Sequence, residues 1–163
     1  MFRKMRRFKQ QLPENEAIEI LENSDSGVLA LLGDDDYPYT VPTSYVYADG
    51  KLYFHSAPAG HKVDAIKKNE KASFCIIEKD EVMPEKYTTL FRSVVAFGKV
   101  RIIEDKDEMR RIAESIAMKY SAAFKEGIPG AIDEAINRMA IIEMTIEHLT
   151  GKEGVELMKQ RNK

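Results

Sequence analysis

The chain is short of the residues that staple, ligate metals or enter membranes. It has one cysteine, three histidines and no tryptophan in 163 residues. The lone Cys75 excludes an internal disulfide, and its apolar surroundings suggest a buried thiol. No stretch reaches the ~20 apolar residues of a membrane span, and the opening residues lack the apolar core of a signal peptide, so a cytoplasmic protein that does not bind membranes is expected. Excess charge of one sign is missing too. Against 27 acidic residues stand 25 basic ones, for a formal charge of -2 and a pI near 6.0, a balance that calls for no nucleic acid. The local exception is a basic arm over residues 1–12 carrying Arg3, Lys4, Arg6, Arg7 and Lys9, which reads as a solvated segment.

Ligand spacing is equally absent. His55 and His61 are separated by a loop and His148 is remote, with no Cys pair or His-x-x-x-His, so no metal site is expected. Asp34-Asp35-Asp36 lacks the spacing of a calcium loop. Ser44, Ser56 and Ser93 sit on no nucleophile elbow, and no G-x-G-x-x-G follows a strand.

What is present is a globular composition, 44 % hydrophobic and 32 % charged, of a size for a single domain over residues 1–163. Pro13 opens a helix with Ala17, Ile18 and Leu21 on one face, ending at Asn23-Ser24-Asp25. Strands are expected over 28–32 and 37–47, the latter interrupted by Pro38 and Pro42. Ala48-Asp49-Gly50 then turns the chain tightly into 51–55. A short helix around Val63 and Ile66 stops near Asn69, and strands follow over 72–77 and 93–103, with Gly98 marking a bulge and Met83, Pro84 and Tyr87 in the connection between them. Helices over 106–120 and 131–139 precede a final strand, 140–149, with Ile142, Met144, Ile146 and His148 on one face. Six antiparallel strands with helices inserted late make an α+β chain, and strands of this length close economically into a small barrel.

The most informative stretch is Tyr53-Phe54-His55-Ser56-Ala57-Pro58-Ala59-Gly60-His61-Lys62. It joins an apolar strand to a helix start through small residues. Unpaired N–H groups at a helix N-terminus attract an anion, and Lys62 adds a full charge, with His61 as a second donor, so the stretch is suited to phosphate.

Three segments extend the pattern: Tyr39-Thr40-Val41-Pro42-Thr43-Ser44-Tyr45-Val46, the ending Phe-His-Ser-Ala-x-x-Gly-His-Lys, and Ile66-Lys67-Lys68-Asn69 before the strand over 72–77. Together they resemble the FMN-binding split-barrel superfamily related to pyridoxamine 5′-phosphate oxidase. The order of segments, with Pro84-Glu85-Lys86-Tyr87, is most similar to its nitroimidazole-resistance branch. The likeness spans about residues 17–103, and Leu149-Thr150-Gly151-Lys152 extends it.

The resemblance implies a six-stranded antiparallel split barrel with peripheral helices, FMN as cofactor, and a homodimer with flavin at the subunit interface. It assigns the FMN phosphate to His55, Ser56, His61 and Lys62, the border of the ring to Thr40, Val41, Pro42, Thr43, Ser44 and Tyr45, and a contact from the partner subunit to Ser93. His61 stands where the oxidases carry arginine, which keeps a donor and loses the permanent charge, so phosphate affinity is expected to depend on pH. His61 is also the candidate catalytic residue, and the expected chemistry is reduction of a small electron-poor substrate of the nitroimidazole or nitroaromatic kind. The oxidase's C-terminal Arg- and Trp-containing signature is missing, so oxidation of pyridoxine phosphate is not expected. An alternative is a barrel that holds flavin or haem without turnover, with His55, His61 or His148 as axial ligand. The alternations Phe74-Ile76 and Val95-Phe97 are the apolar strand faces expected to meet a partner.

Overall fold

The computed structural model describes residues 1–161, so the last two residues of the expected domain, 162 and 163, lie outside the described residues. Twelve main elements follow in order: α1 (Glu14–Asn23), β1 (Ser26–Leu32), β2 (Pro38–Ser44), β3 (Val46–Ala48), β4 (Lys51–Ser56), α2 (His61–Lys68), β5 (Lys71–Met83), β6 (Thr88–Ile103), α3 (Lys106–Ser121), α4 (Ile128–Ala135), β7 (Ala140–Glu153) and α5 (Val155–Arg161). Among the described residues no helix is long and apolar enough to cross a membrane.

The strands form one antiparallel sheet in the order β2-β1-β5-β6-β7-β4-β3. Seven strands therefore replace the expected six, because the expected strand 37–47 breaks at Tyr45 into β2 and β3, which lie at opposite edges of the sheet. One residue spans ~3.8 Å between neighbouring Cα atoms, so the two edges that Tyr45 joins must approach each other. The sheet is thus curled, while its hydrogen-bonded ladder stays open between β2 and β3. Pro38 and Pro42 are tolerated because β2 is an edge strand.

Alternation sorts the side chains into two faces. Inside the curl, Leu29, Phe54, Phe74, Ile76, Val94, Ile142 and Met144 form the main core, closed by Ala17, Ile20 and Leu21 of α1. Ile18 is only half-buried, so the apolar face of α1 runs through Ile20 in its place. On the outer face, α3 and α4 cover Ile103 and Ile141 with Met109, Ile116, Ile128 and Ile132, a second core. The rest of the outer face carries Val28, Cys75, Val95 and Phe97, and Phe2 of the basic arm packs on Phe97 at 5.7 Å between ring centroids. Phe74 and Ile76 are therefore core residues and not the interface residues expected, and Cys75 is half-buried on the outer face.

A register shift between Phe97 and Gly98 confirms the bulge read from Gly98. A Cβ there would lie 2.0 Å from the Thr145 carbonyl oxygen, so only glycine fits. Opposite the shift, β7 carries an extra residue at Glu147, since His148 pairs with Phe97 while Ile146 pairs with Gly98. That residue reverses the alternation, and His148 turns outward, away from the face of Ile142 and Met144. Its ring stacks on Phe2 of the basic arm at 4.7 Å between centroids.

Three further boundaries differ from expectation. β5 runs on to Met83 and β6 starts at Thr88, so the expected connection is mostly a two-stranded arm whose turn is Pro84–Lys86. The α4 helix starts at Ile128, with Pro129 tolerated in its first turn, where no N–H is needed. β7 continues to Glu153 and α5 follows it. Glu153 is buried and its carboxylate accepts from Arg161 at 2.7 Å, which ties α5 down.

Candidate functional site

Phe54 drives the end of β4 into the core, and alternation then sets His55 and Ser56 on opposite faces. Ser56 shares the inner side with Phe54 at the mouth of the curl, whereas His55 is exposed on the outer side with Tyr53, paired to Ile141. The chain crosses Ala57-Pro58-Ala59 and reaches Gly60, whose φ of 122° is open to glycine and strained for any other residue. Nothing lies within 4 Å of where a Cβ would stand, so the space beside Gly60 is open. Helix α2 begins at His61, and Val63, Ala65 and Ile66 bury its inner side.

His61 and Lys62 are adjacent and differently committed. The His61 ring stacks on Tyr39 of β2 at 4.1 Å, and its Nε2 lies 3.7 Å from an Asp34 carboxylate oxygen. Asp34 also accepts a hydrogen bond from Lys68 at 2.7 Å, and that bond and charge, followed by the field of His61, hold its carboxyl below the ordinary aspartate value. His61 is thereby drawn over the β1–β2 turn. Lys62 is half-buried and has no ion-pair partner among the described residues. Burial alone pushes its ammonium below the usual lysine range. A half-buried cation without a carboxylate, beside unpaired helix N–H groups and an open glycine, fits an anionic group such as phosphate.

The stack of Tyr39 on His61 brings β2 to this loop. Within β2, Val41 and Tyr39 pack against the core, while Thr40 and Pro42 are exposed on the outer side and Thr43 and Ser44 are half-buried. The Thr43 hydroxyl donates to the Ser44 carbonyl oxygen at 3.1 Å.

Tyr45 is the exception in the expected set. It is 0 % exposed, its hydroxyl donates to the Leu21 carbonyl oxygen at 2.6 Å, and its backbone N–H donates to the Tyr120 hydroxyl at 3.0 Å. With no surface to offer, it cannot border a ligand. Burial, followed by the neighbouring Tyr120, raises its phenol far above the usual tyrosine range.

Ser93 is half-buried in the middle of β6, paired to Ile77 and to Lys152. From Lys152 to Ala140, the partner of Ser56, is twelve residues of β7, on the order of 40 Å along an extended strand. Ser93 and the Ser56–Lys62 loop of one chain cannot meet.

The residues missed from sequence are Asp34 and Tyr39, which hold His61. Their part depends on α2 packing over the β1–β2 turn, for which the local pattern gives no signal. Among the described residues no three His, Cys, Asp or Glu side chains gather to hold a metal.

Several solved structures share this fold. A candidate 5-nitroimidazole antibiotic resistance protein from Bacteroides thetaiotaomicron is 22% identical, covering 88% of this chain and 86% of its own, with a TM-score of 0.72. An FAD-binding protein from Mesorhizobium loti is 26% identical over 88% of this chain and 96% of its own, with a TM-score of 0.66. An FAD- and haem-binding protein from Mycobacterium smegmatis is 15% identical over 94% of this chain and 80% of its own, with a TM-score of 0.71. No curated protein matches the chain. The family model described as pyridoxamine 5′-phosphate oxidase matches residues 13–153, from the start of α1 through the last strand, and the chain belongs to that family.

Proposed function

We propose that the protein is a flavoprotein that binds FMN through its phosphate and uses it as an oxidoreductase on a small electron-poor substrate of the nitroimidazole or nitroaromatic class. The observation that carries this reading is Lys62, a half-buried cation without a carboxylate at the start of α2, in a chain of this family. Lys62, the first N–H groups of α2 and Ser56 are the phosphate ligands. Thr40, Val41, Pro42, Thr43 and Ser44 border the ring. His61, steadied by Tyr39 and Asp34, is the candidate catalytic residue facing substrate. Bound flavin supplies hydride transfer at its N5, and the protein supplies binding, orientation and electrostatics.

The same reading has the protein acting as a homodimer with flavin between subunits. Two observations support it. The outer face carries the apolar side chains Val28, Cys75, Val95 and Phe97, only Phe97 of them packed by Phe2, and Ser93 is too distant to serve the phosphate loop of its own chain, so its contact would come from the partner. A flavin- or haem-holding protein without turnover is the second reading, favoured by likeness to the Mycobacterium smegmatis protein.

The test is the absorption spectrum of purified protein, followed by reduction of nitroaromatics with each nicotinamide donor. A flavin band with turnover supports the first reading. A flavin or Soret band without turnover supports the second, and failure to bind added FMN overturns the first.

A further inference from the structure

One concavity contains none of the candidate residues. It is a cleft of about 590 Å3 between α2, the end of β6 and the start of α3, within the range of small-molecule sites. Pro58 of the phosphate loop forms part of its wall, so the cleft begins where the loop ends. Ile66 and Met139 contribute apolar walls, and Lys67 and Lys106 contribute cations. Lys67 has no ion-pair partner among the described residues, Lys106 donates to the Ile136 carbonyl oxygen at 3.3 Å, and Arg101 nearby is spent on Glu143 and Glu108, while Glu104 adds one carboxylate to the lining.

The backbone adds a further feature. β5 begins at Lys71, opposite Lys99, and Val100 N–H is taken by the Glu70 carbonyl oxygen at 2.7 Å. Beyond that point no strand among the described residues pairs with β6 on its β5 side, where α2 forms the far wall of the cleft. By the two-residue period of a strand, the N–H and C=O of Ile102 face the open side, into the cleft that Ile102 lines. An apolar slot with a donor and an acceptor side by side matches the edge of an adenine, and the free ammonium of Lys67 matches phosphate charge.

We infer that this cleft takes the adenylate half of FAD, with the FMN half at the phosphate loop, an inference that rests on the flavin reading above. A dinucleotide would pass over Pro58, its flavin-side phosphate at Lys62 and its adenine against Ile102. FAD should then bind at least tenfold more tightly than FMN.

The test is titration of cofactor-free protein with FMN and FAD, followed by flavin fluorescence, on the native chain, on Lys67→Glu and on Met139→Trp. Lys67 is exposed, so its variant keeps the test open if the bulkier Met139→Trp does not fold. The expected result is a tenfold or larger FAD preference that either variant reduces to threefold or less while FMN affinity stays unchanged. Equal affinity of the native chain for FMN and FAD overturns the adenylate site and leaves the flavin reading standing. Equal weakening of both ligands in both variants does the same. Failure of both ligands to bind the native chain overturns both.

Discussion

Two interruptions of strand structure, at Tyr45 and at Ser56–Lys62, differ in what becomes of their polar groups. At Tyr45 every group is taken. The phenol donates to Leu21, and the Tyr120 hydroxyl accepts from the Tyr45 N–H and lies 2.6 Å from its carbonyl oxygen and 2.5 Å from that of Asp25. Lys119 lies 4.3 Å over the Tyr45 ring while donating to the Ser24 carbonyl oxygen. At Ser56–Lys62 the corresponding groups are left over: Lys62 without a counter-charge, and the first N–H groups of α2 without helical partners. The groups at the first break are sealed in the core and satisfied there, whereas those at the second face water and stay free to take an anion, the property on which the proposed phosphate site rests.

Substitutions at the two breaks should therefore act on different quantities. The largest effect is expected from Tyr45→Ala, which empties a wholly buried aromatic site and should destabilise the fold by about 3–5 kcal/mol in chemical denaturation. Lys62→Ala should leave the denaturation midpoint nearly unchanged and weaken FMN by about 1.5–3 kcal/mol, with riboflavin, which lacks the phosphate, much less affected. Equal loss for the two ligands would remove Lys62 from the phosphate.

Tyr120→Phe leaves the Tyr45 N–H unpaired and should cost about 1–3 kcal/mol of stability without changing FMN affinity. Glu143 tests the same contrast with a charge. It is 3 % exposed, and although burial pushes its carboxyl up, hydrogen bonds from Arg101 and Lys51 outweigh burial and hold it below the ordinary value of 4.5. Its contribution should be present in full above that value and lost as pH falls through the lowered one. Glu143→Gln should cost about 1–2 kcal/mol at neutral pH, because Arg101 and Lys51 can hydrate, and the gap from the native protein should close in acid melts.

The smallest effect concerns His61. Removing the carboxylate near its Nε2 with Asp34→Asn should tighten FMN by no more than about threefold at low salt, and not at all at high salt, because Asp34 is exposed.

Local chemistry made several elements legible. Asp49 and Gly50 both take positive φ in the β3–β4 turn, as the tight-turn reading requires, and Gly98 sits at the register shift opposite the extra residue of β7, with no room for a Cβ. The β5–β6 arm was hidden because Glu78, Lys79, Asp80 and Glu81 obscure any apolar alternation, and pairing with β6 holds that segment extended in spite of its composition. In the candidate site, Ser56, Gly60 and Lys62 are legible because strand, turn and helix start adjoin in sequence. The place of Tyr45 is not legible, because a tyrosine in a strand looks the same whether its hydroxyl meets a ligand or the Leu21 carbonyl.

By itself the sequence determined the α+β class, the two-residue and helical periodicities, the glycine-dependent turns and the loop that can cradle an anion. Each depends on residues within a few positions of one another. Only the tertiary structure decided that β2 and β3 lie on opposite edges, that one extra residue at Glu147 turns His148 outward, that Asp34 and Tyr39 hold His61, and that Ser93 is a strand's length from its own phosphate loop. These outcomes depend on register and on which elements pack together, and both follow from the whole core burying its apolar surface at once.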